Sequence, residues 1–292
     1  METFASSKTM NKRTRSPFIL AAAALACGLG PGVPHAAAQS AGADRITVAL
    51  DDPSRPALVR ASLINGGITV KGYEGKDVIV EARPRNAEPE RSTPGGLKRL
   101  SIGRTGLTVE EENNSVRIST DSHMRTIDLI ITVPAHTSLT LNAINDGDIV
   151  VSDVDGEMDV NNTNGSVTLK NISGSCVAHA LNGKLQVTFA KVNPQKSMAF
   201  SSLNGDIDVT FPADLKATLM IRSDRGDVFS DFDVQLQASA PQQTVEDGRG
   251  KGGKYRVRID KNVRGTINGG GQEMQFTNMQ GGIYIRKAGG AR

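Results

Sequence analysis

The chain has no tryptophan, and aromatic residues make up only 4% of its 292 positions. This argues against a sugar groove built on aromatic stacking. Cysteine is equally scarce, with only Cys27 and Cys176. Cys27 lies in the N-terminal targeting segment described next, so one cysteine remains beyond residue 38 and cannot form an intramolecular disulfide. The remaining chain of about 254 residues is long enough to form a core without one.

Long apolar runs are also missing, apart from one near the N-terminus. That run, Phe18 to Leu29, is too short to cross a bilayer as a helix. Basic residues precede it, and small residues follow it with an Ala-x-Ala pattern at Ala36 and Ala38. These are the three regions of a secretory signal peptide. The sequence therefore predicts that residues 1–38 are a signal peptide and that the protein is exported.

The predicted exported domain covers residues 39–292, and the reading frame begins at either Met1 or Met10. Lipidation at Cys27 is the minor alternative to cleavage after Ala38. Nothing beyond residue 38 is long and apolar enough to anchor the domain in a membrane. We expect a periplasmic or cell-surface location.

The chain also lacks a basic surplus once this segment is removed. Four of the 34 lysines and arginines and one of the 31 acidic residues lie in residues 1–38, which leaves 30 of each sign. The exported domain is therefore close to neutral. The sequence gives no basis for a nucleic-acid partner.

Amphipathic helices are missing as well, since no segment of ten or more residues beyond the signal peptide shows a 3.6-residue period. Alternation with a period of two is clear instead, for example in Leu185-x-Val187-x-Phe189 and Ile207-x-Val209-x-Phe211. This alternation, rich in β-branched residues, is typical of strands. The sequence predicts an all-β fold.

What the chain does contain is an internal repeat. Asp146-Gly147, Asn164-Gly165 and Asn182-Gly183 each precede an alternating segment, and their glycines are 18 residues apart. The spacing then loosens to 22 and 21 residues at Gly205 and Gly226. Equivalent positions of successive units can hold different residue types: Met158 corresponds to Cys176, and Val160 corresponds to Ala178. Repeats of this length indicate stacked units.

Two folds agree with these repeats. Asn-Gly between alternating strands is a strong hairpin signal, which predicts an antiparallel β-sandwich or meander. A fixed period also matches one turn of a β-solenoid, in which like residues stack. In that case the Asn and Asp residues at 145–146, 164, 182 and 204 would form a ladder along one corner. The regular repeat favours the solenoid, and the antiparallel alternative stays open.

Strand boundaries and loops follow from proline, glycine and charge. Pro134 and Pro212 each indicate a strand end, because proline cannot donate a ladder hydrogen bond. Residues 84–99 and 238–254 are rich in glycine, proline and charge and are predicted as loops.

The order of these motifs resembles the bacterial exported putative-adhesin domain family. The shared motifs are an early Asn-Gly-x-Ile-x-Val unit, a strand-Pro segment (ITVPAHTSLTL), consecutive Asn-Gly units, Gly226 to Phe232 (GDVFSDF) and a terminal Ile267 to Gly271 (INGGG). The resemblance spans most of residues 44–287. It implies a β-solenoid-like domain in the envelope or at the cell surface, with no catalytic residues to transfer.

Two candidate sites are weak on chemical grounds. Asp146 to Asp159 is rich in aspartate, but an EF-hand loop needs a ligand where Val151 stands. Cys176 and His179 form Cys-x-x-His, yet a zinc site needs three or four ligands and the other histidines of the exported domain, His123 and His136, stand alone. Cys176 takes the inward place of Met158, so we expect a buried, unreactive thiol. No metal or cofactor is predicted.

A glycan-cleaving β-helix enzyme is the catalytic alternative. It would need carboxylates gathered on one face, and the candidates are four aspartates with a lysine among them: Asp148, Asp206, Asp208, Asp227 and Lys184. Their type changes from repeat to repeat, since the place of Asp148 holds Ser166, then Lys184, then Asp206. We therefore expect a non-enzymatic scaffold or adhesin-like binding module whose partner is an unknown envelope protein or glycan. Self-association through the ends of the stack is a further hypothesis.

Overall fold

A computed structural model describes residues 43–85, 105–121, 125–237, 243–247, 255–259 and 262–289, the shorter two of these by backbone only. The described residues belong to one compact unit, Ser40–Arg292. Every regular element in them is a β-strand. Among them there is accordingly no helix that could span a membrane. The predicted signal peptide lies outside the described residues and stays a prediction.

The described residues form twenty-two strands. The first eleven are β1 (Asp44–Ala49), β2 (Ala57–Asn65), β3 (Ile68–Tyr73), β4 (Asp77–Pro84), β5 (Leu107–Glu112), β6 (Ser115–Thr120), β7 (Ile127–Pro134), β8 (Thr137–Asn145), β9 (Ile149–Ser152), β10 (Asp155–Asn162) and β11 (Val167–Ala180). The others are β12 (Leu185–Val192), β13 (Met198–Ser202), β14 (Ile207–Phe211), β15 (Ala217–Ser223), β16 (Val228–Ser230), β17 (Val234–Leu236), β18 (Gln243–Asp247), β19 (Tyr255–Ile259), β20 (Asn262–Ile267), β21 (Gln272–Asn278) and β22 (Ile283–Lys287).

The repeats stack in parallel as the turns of a solenoid with two faces. The first face has the order β5, β6, β2, β8, β10, second half of β11, β13, β21, β15, β20, β17. The second face has the order β1, β4, β7, β3, β9, first half of β11, β12, β14, β22, β16. The fold is thus an all-β, solenoid-like domain, as the sequence predicts.

The strand registers place equivalent repeat positions beside each other. Met158 pairs with Cys176, and Val160 pairs with Ala178, as expected from the repeat. Within the strands of the repeats, buried residues alternate with half-buried or exposed ones, for example through all of β7. Each fully buried Val, Leu or Ile contributes about 1.5–3 kcal/mol to stability. The alternation therefore selects one register, since a slip by one residue would turn every apolar side chain outward.

A single core lies between the two faces. Near its middle, Phe189 and Phe211 of the second face stack at a centroid distance of 5.2 Å. On the first face, Phe200 and Phe276 stack at 5.1 Å. The two pairs meet edge to face, with 6.2 Å between Phe200 and Phe211. This ring cluster joins the faces in a chain that has few aromatic residues.

The antiparallel meander is wrong for the repeats. Among the described repeats, no strand forms an antiparallel pair with the strand across its own Asn-Gly or Asp-Gly turn. β11 pairs with both β10 and β12, but each of these pairings is parallel. Neither Asn182 nor Gly183 adopts the left-handed φ that a two-residue hairpin turn requires. Antiparallel pairing occurs instead towards the ends of the stack, where β4 joins β1 and β7, β5 joins β6, and β20 joins β15 and β17.

The order of the turns along the stack departs from the order of the chain. The last turn in sequence, β21 and β22, lies between the β13–β14 turn and the β15–β16 turn. β21 and β22 are therefore inserted between two earlier turns and do not lie at the end of the stack. The repeat alone does not reveal this insertion.

The proline predictions agree with the strand bounds. Pro134 is the last residue of β7, and Pro212 directly follows β14. The prediction of a loop over residues 238–254 is wrong for Gln243–Asp247, because these residues form β18 and pair with β19. Alternation in Thr-Val-Glu and in Tyr-Arg-Val-Arg-Ile explains this hairpin. Of residues 84–99, Pro84 ends β4, Arg85 is a turn residue, and the rest lies outside the described residues.

Candidate functional site

An asparagine ladder runs along one corner of the stack, where each strand of the first face turns into the second. Each side-chain amide donates to the amide oxygen of the preceding turn, with Nδ2–Oδ1 distances of 3.4, 2.9, 2.9 and 2.6 Å. The members are Asn65, Asn145, Asn164, Asn182 and Asn204. The corner ladder predicted for a solenoid is therefore present.

A glycine ladder runs beside it for a reason other than backbone conformation. A Cβ on Gly165 would lie 2.1 Å from the carbonyl oxygen of Gly147, and a Cβ on Gly183 would lie 2.2 Å from that of Gly165. Successive turns approach each other so closely at this corner that no side chain can be accommodated. The Asn-Gly pairs are thus structural features of the corner.

The acidic residues considered for catalysis serve this same corner. Asp148 accepts a hydrogen bond from the Ser166 N–H at 2.7 Å, and Asp206 accepts one from the Gly282 N–H at 2.8 Å. Each carboxylate thereby holds the backbone of the next turn. Asp227 accepts from the Ile283 N–H through its main-chain carbonyl at 2.9 Å.

Asp208 lies outside this row, on the second face. Its carboxylate accepts from the Arg286 Nε at 2.8 Å and lies 3.8 Å from the Lys184 Nζ. The hydrogen bond to Asp208 raises the pKa of Arg286. The structure therefore uses the carboxylates of Asp148 and Asp206 in corner bonds and that of Asp208 in two ion pairs, rather than gathering them around a cleft.

The most elaborate polar contact at the corner is between Arg85 and Asp128. Arg85 donates to both oxygens of Asp128, with 3.0 Å from Nε to Oδ2, and its Nη1 donates to the Asp146 carbonyl at 2.5 Å. Burial opposes ionisation of Asp128, but the bonds from Arg85 and from the Gly67 N–H outweigh it and lower its pKa. The open depression above, about 640 Å³, is lined by the asparagine ladder. These contacts fasten the turn after β4 to the stack.

Cys176 and His179 do not act together. Cys176 is 1% exposed, and burial, with a smaller contribution from Asp159, raises the pKa of its thiol. His179 points outward instead and is hydrogen-bonded to Ser201. The prediction of a buried thiol is confirmed.

The aspartates of the rejected calcium loop have other partners. Asp153 accepts from the Asn171 Nδ2 at 2.8 Å, and Asp155 lies 3.1 Å from the Nδ1 of His136. Within the described part of the chain, no group of three or more His, Cys, Asp or Glu residues could hold a metal ion. His123 lies outside the described residues.

The feature that the sequence predictions missed is an apolar ridge on the first face. It consists of apolar residues at the position before the corner residue in five turns: Ile64, Ile144, Leu181, Leu203 and Met279. Thr163 holds this position before Asn164 and interrupts the ridge. Ile144, Leu181 and Met279 are 44–45% exposed, high values for large apolar side chains. The signal was present in the sequence as an apolar residue before each of Asn65, Asn145, Asn182 and Asn204, at an outward position.

A polar row follows the ridge two residues earlier in each strand. It consists of Asn161, His179, Ser201 and Thr277, which the strand registers align across four successive turns. Between the row and three members of the ridge, Leu181, Leu203 and Met279, lies a groove of about 510 Å³. Arg222 and Asp224 line its end beside β15. This first-face groove is mainly apolar on one side and offers amide, imidazole and hydroxyl groups on the other. It is our candidate binding site.

Beneath the groove, Asn162 is 3% exposed. Its Nδ2 donates to the carbonyl oxygens of Gly147 at 3.0 Å and Ser166 at 3.2 Å, while its Oδ1 has no protein partner. The equivalent Asn278 accepts from the Gly281 N–H at 3.3 Å through the same oxygen. We interpret Asn162 as a corner residue whose acceptor is less well placed than that of Asn278.

These features define a class of protein, a two-faced parallel β-solenoid whose corner is held by asparagine and glycine ladders. A family model described as Toastrack DUF4097 matches residues 105–268, more than half of the chain. The chain belongs to the Toastrack DUF4097 family, and the family resemblance in its sequence is confirmed. No curated protein matches it.

Two solved structures are similar over most of their length. One is a putative cell adhesion protein from Clostridium sporogenes, with 11% identity, a TM-score of 0.38, and coverage of 84% of this chain and 99% of that one. The other is a putative adhesin from Bacteroides fragilis, with 11% identity, a TM-score of 0.40, and coverage of 85% and 98%. Similarity at this level carries no argument about role.

Proposed function

We propose that the protein is an exported, non-enzymatic binding module of the cell envelope or cell surface and that the first-face groove is its binding surface. The observation that carries this proposal is the groove itself. Its apolar ridge and polar row extend over successive turns of a rigid stack, about 4.8 Å apart. The N-terminal pattern of residues 1–38 supports export.

The composition of the groove supports binding rather than simple solvation. Exposed large apolar residues that line up beside polar groups are typical of interaction sites, whereas scattered ones are ordinary. Here Leu181, Leu203 and Met279 hold one repeat position in three neighbouring turns, so they form a line rather than a scatter. A partner can bury the ridge while the row supplies hydrogen bonds that fix its orientation.

The groove can be tested with one charged substitution and a matched control. Leu181→Asp places a carboxylate on the ridge, whereas Thr168→Asp places one at an outward position of the second face. Both variants should fold, since neither position is in the core. We expect the wild type and Thr168→Asp to retain the same envelope components from membrane and cell-wall fractions, and Leu181→Asp to lose them. Equal retention by both variants would exclude the groove.

The catalytic alternative has a separate test. The purified protein would be incubated with cell-wall and exopolysaccharide fractions, and new reducing ends would be measured against a heat-denatured control. We expect no increase, because the carboxylates of Asp148 and Asp206 hold the corner and that of Asp208 is paired with Arg286 and Lys184. Sustained release of reducing ends that depends on Asp208 would contradict the non-enzymatic proposal.

Export is checked by the N-terminus of the protein recovered from its host. We expect cleavage after Ala38 and recovery in the periplasmic or surface fraction. A protein that begins at Cys27 and carries lipid would establish the lipoprotein alternative. An intact N-terminus in the cytoplasmic fraction would contradict export.

A further inference from the structure

The second face ends in a strand with one unpaired edge. β16 pairs with β22 and with no other strand of the described chain. The Ile283 N–H donates to the Asp227 carbonyl and the Asp231 N–H donates to the Ile285 carbonyl, both at 2.9 Å. In a parallel ladder, alternate residues bond to the same neighbour. The backbone groups of Val228 and Ser230 therefore point away from β22, towards the free edge.

The side chains of β16 are as open as its backbone. Val228 pairs with Ile283, so it holds an inward repeat position, yet it is 40% exposed. Phe229 faces outward and stacks on Tyr284 with 5.2 Å between ring centroids and an interplanar angle of 11°. The other side of its ring faces the free edge, and the residue is 52% exposed. An aromatic stack and the core both stop at this edge, and no strand of the described residues covers them.

The sequence of β22, which pairs with one edge of β16, indicates which kind of strand could pair with the other edge. Along the pair, Val228 lies opposite Ile283, Phe229 opposite Tyr284 and Ser230 opposite Ile285, and the next residue of β22 is Arg286. Solenoids stack like residues on like. We propose that the free edge of β16 is a strand-addition site for an extended segment of a partner protein with the pattern apolar–aromatic–apolar–basic. Its aromatic residue stacks on Phe229, and its apolar residues cover the core beside Val228.

A second copy of this chain fits this edge poorly. Two β16 strands paired with each other would bring Asp227 and Asp231 of the two copies together, and like charges opposite each other destabilise a strand pair. The end strand at the other side of the second face, β1, has the sequence Asp-Arg-Ile-Thr-Val-Ala and contains no aromatic residue. The flanking aspartates favour a segment that carries basic residues. The site lies apart from the first-face groove and does not depend on the proposed function.

The probe is a fluorescein-labelled peptide with the β22 sequence Gly-Ile-Tyr-Ile-Arg-Lys, titrated with the purified full chain while fluorescence anisotropy is recorded. The control peptide has proline in place of tyrosine. Phe229→Ser removes the stacking ring, whereas Phe229→Tyr keeps it. Val228→Pro removes an N–H of the free edge without touching the ladder to β22. Circular dichroism verifies that every variant is folded.

We expect saturable binding of the tyrosine peptide to the wild type and to Phe229→Tyr. Loss of the aromatic stack and of the apolar contact should weaken it roughly tenfold or more in Phe229→Ser. Val228→Pro should weaken it as well. Absence of saturable binding to the wild type, or equal binding to all variants, overturns the proposal. So does light scattering that shows a wild-type oligomer which Phe229→Ser converts to a monomer, because the edge would then bind a second copy.

Discussion

At the scale of single residues, the corner of the stack is the most constrained part of the protein. Gly147, Gly165, Gly183 and Gly205 follow one another along it, and each would bring a Cβ within 2.3 Å of the backbone of the preceding turn. The obstacle is main chain rather than a mobile side chain, so it cannot move aside without separating two turns.

Gly183→Ala should therefore destabilise the fold by about 1–3 kcal/mol or more, as expected for overpacking against a rigid neighbour. The control is Lys184→Ala in the same turn, whose exposed ammonium lies 3.8 Å from Asp208 and should contribute little. Urea unfolding followed by circular dichroism measures both. A Gly183→Ala variant as stable as the control would contradict the close approach of the turns.

Cys176 gives a prediction about pH at the same scale. Burial raises the pKa of its thiol in the folded protein, so the thiol stays protonated there as pH rises above its ordinary value of about 8.5. In the unfolded chain the thiol ionises first, so its contribution to stability is complete below that pH and declines above it.

With protein that comprises residues 39–292, we expect no reaction of the folded state with a disulfide reagent at pH 7–9 and rapid reaction of one thiol per chain in denaturant. Cys176→Ala should abolish the reaction in denaturant. Rapid modification of the folded wild type would show that the thiol is accessible.

At the scale of the elements, parallel stacking turns the sequence repeat into two kinds of continuous ladder. Backbone bonds join each strand to the next, and side-chain amides join Asn164, Asn182 and Asn204 across the corner. Each amide in the middle of this ladder donates to one neighbour and accepts from the other. An asparagine amide offers both functions, whereas an ionised aspartate only accepts, so an aspartate within the row would lose the donated bond.

Asn182→Asp should cost about 1 kcal/mol, because it replaces the donor that faces the Asn164 Oδ1 with an acceptor. Asn193→Asp is the matched control, since the Asn193 side chain only accepts a bond from the Gln195 N–H at 3.0 Å. An aspartate accepts that bond equally well. The two variants are compared by urea unfolding at pH 7, and equal midpoints would mean that the ladder does not contribute.

At the scale of the whole domain, the placement of the last turn ties the C-terminus to the interior of the stack. Phe276 of β21 stacks on Phe200 of β13 on one side, and β15 pairs with β21 on the other. A solenoid built in sequence order could lose its final turn and keep the rest. Here the same loss would leave two apolar surfaces without a partner.

Removal of residues 269–292 should therefore disrupt the fold beyond the deleted strands. We expect protease sensitivity at β13 to β16 and a lower, broader urea transition than in the full chain. Limited proteolysis with mass spectrometry locates the affected strands. A truncated protein whose β13–β16 region resists protease as the full chain does would contradict the inserted order.

Much of the element level could be predicted from the sequence. The alternation at Ile207, Val209 and Phe211 predicts strand and buried face together, and the pairing of Met158 with Cys176 follows from the repeat. The sequence pattern did not predict the ridge, although Leu181 and Leu203 precede Asn-Gly in the sequence. The period-two alternation identifies the inward residues of a strand, and an apolar residue at an outward position leaves that alternation unchanged.

The sequence by itself determined the strand pattern, the turn positions and the spacing of the repeats, because these depend on local alternation and on residues suited to turns. The tertiary structure alone decided that β21 and β22 enter the stack between earlier turns, and that Val228 and Phe229 lie at an open edge. The physical reason is that pairing between distant strands depends on which surfaces meet. Several repeat units have similar apolar faces, and each of them could stack on the same neighbouring turn. Only the packing of the folded protein therefore selects the order of the turns along the stack.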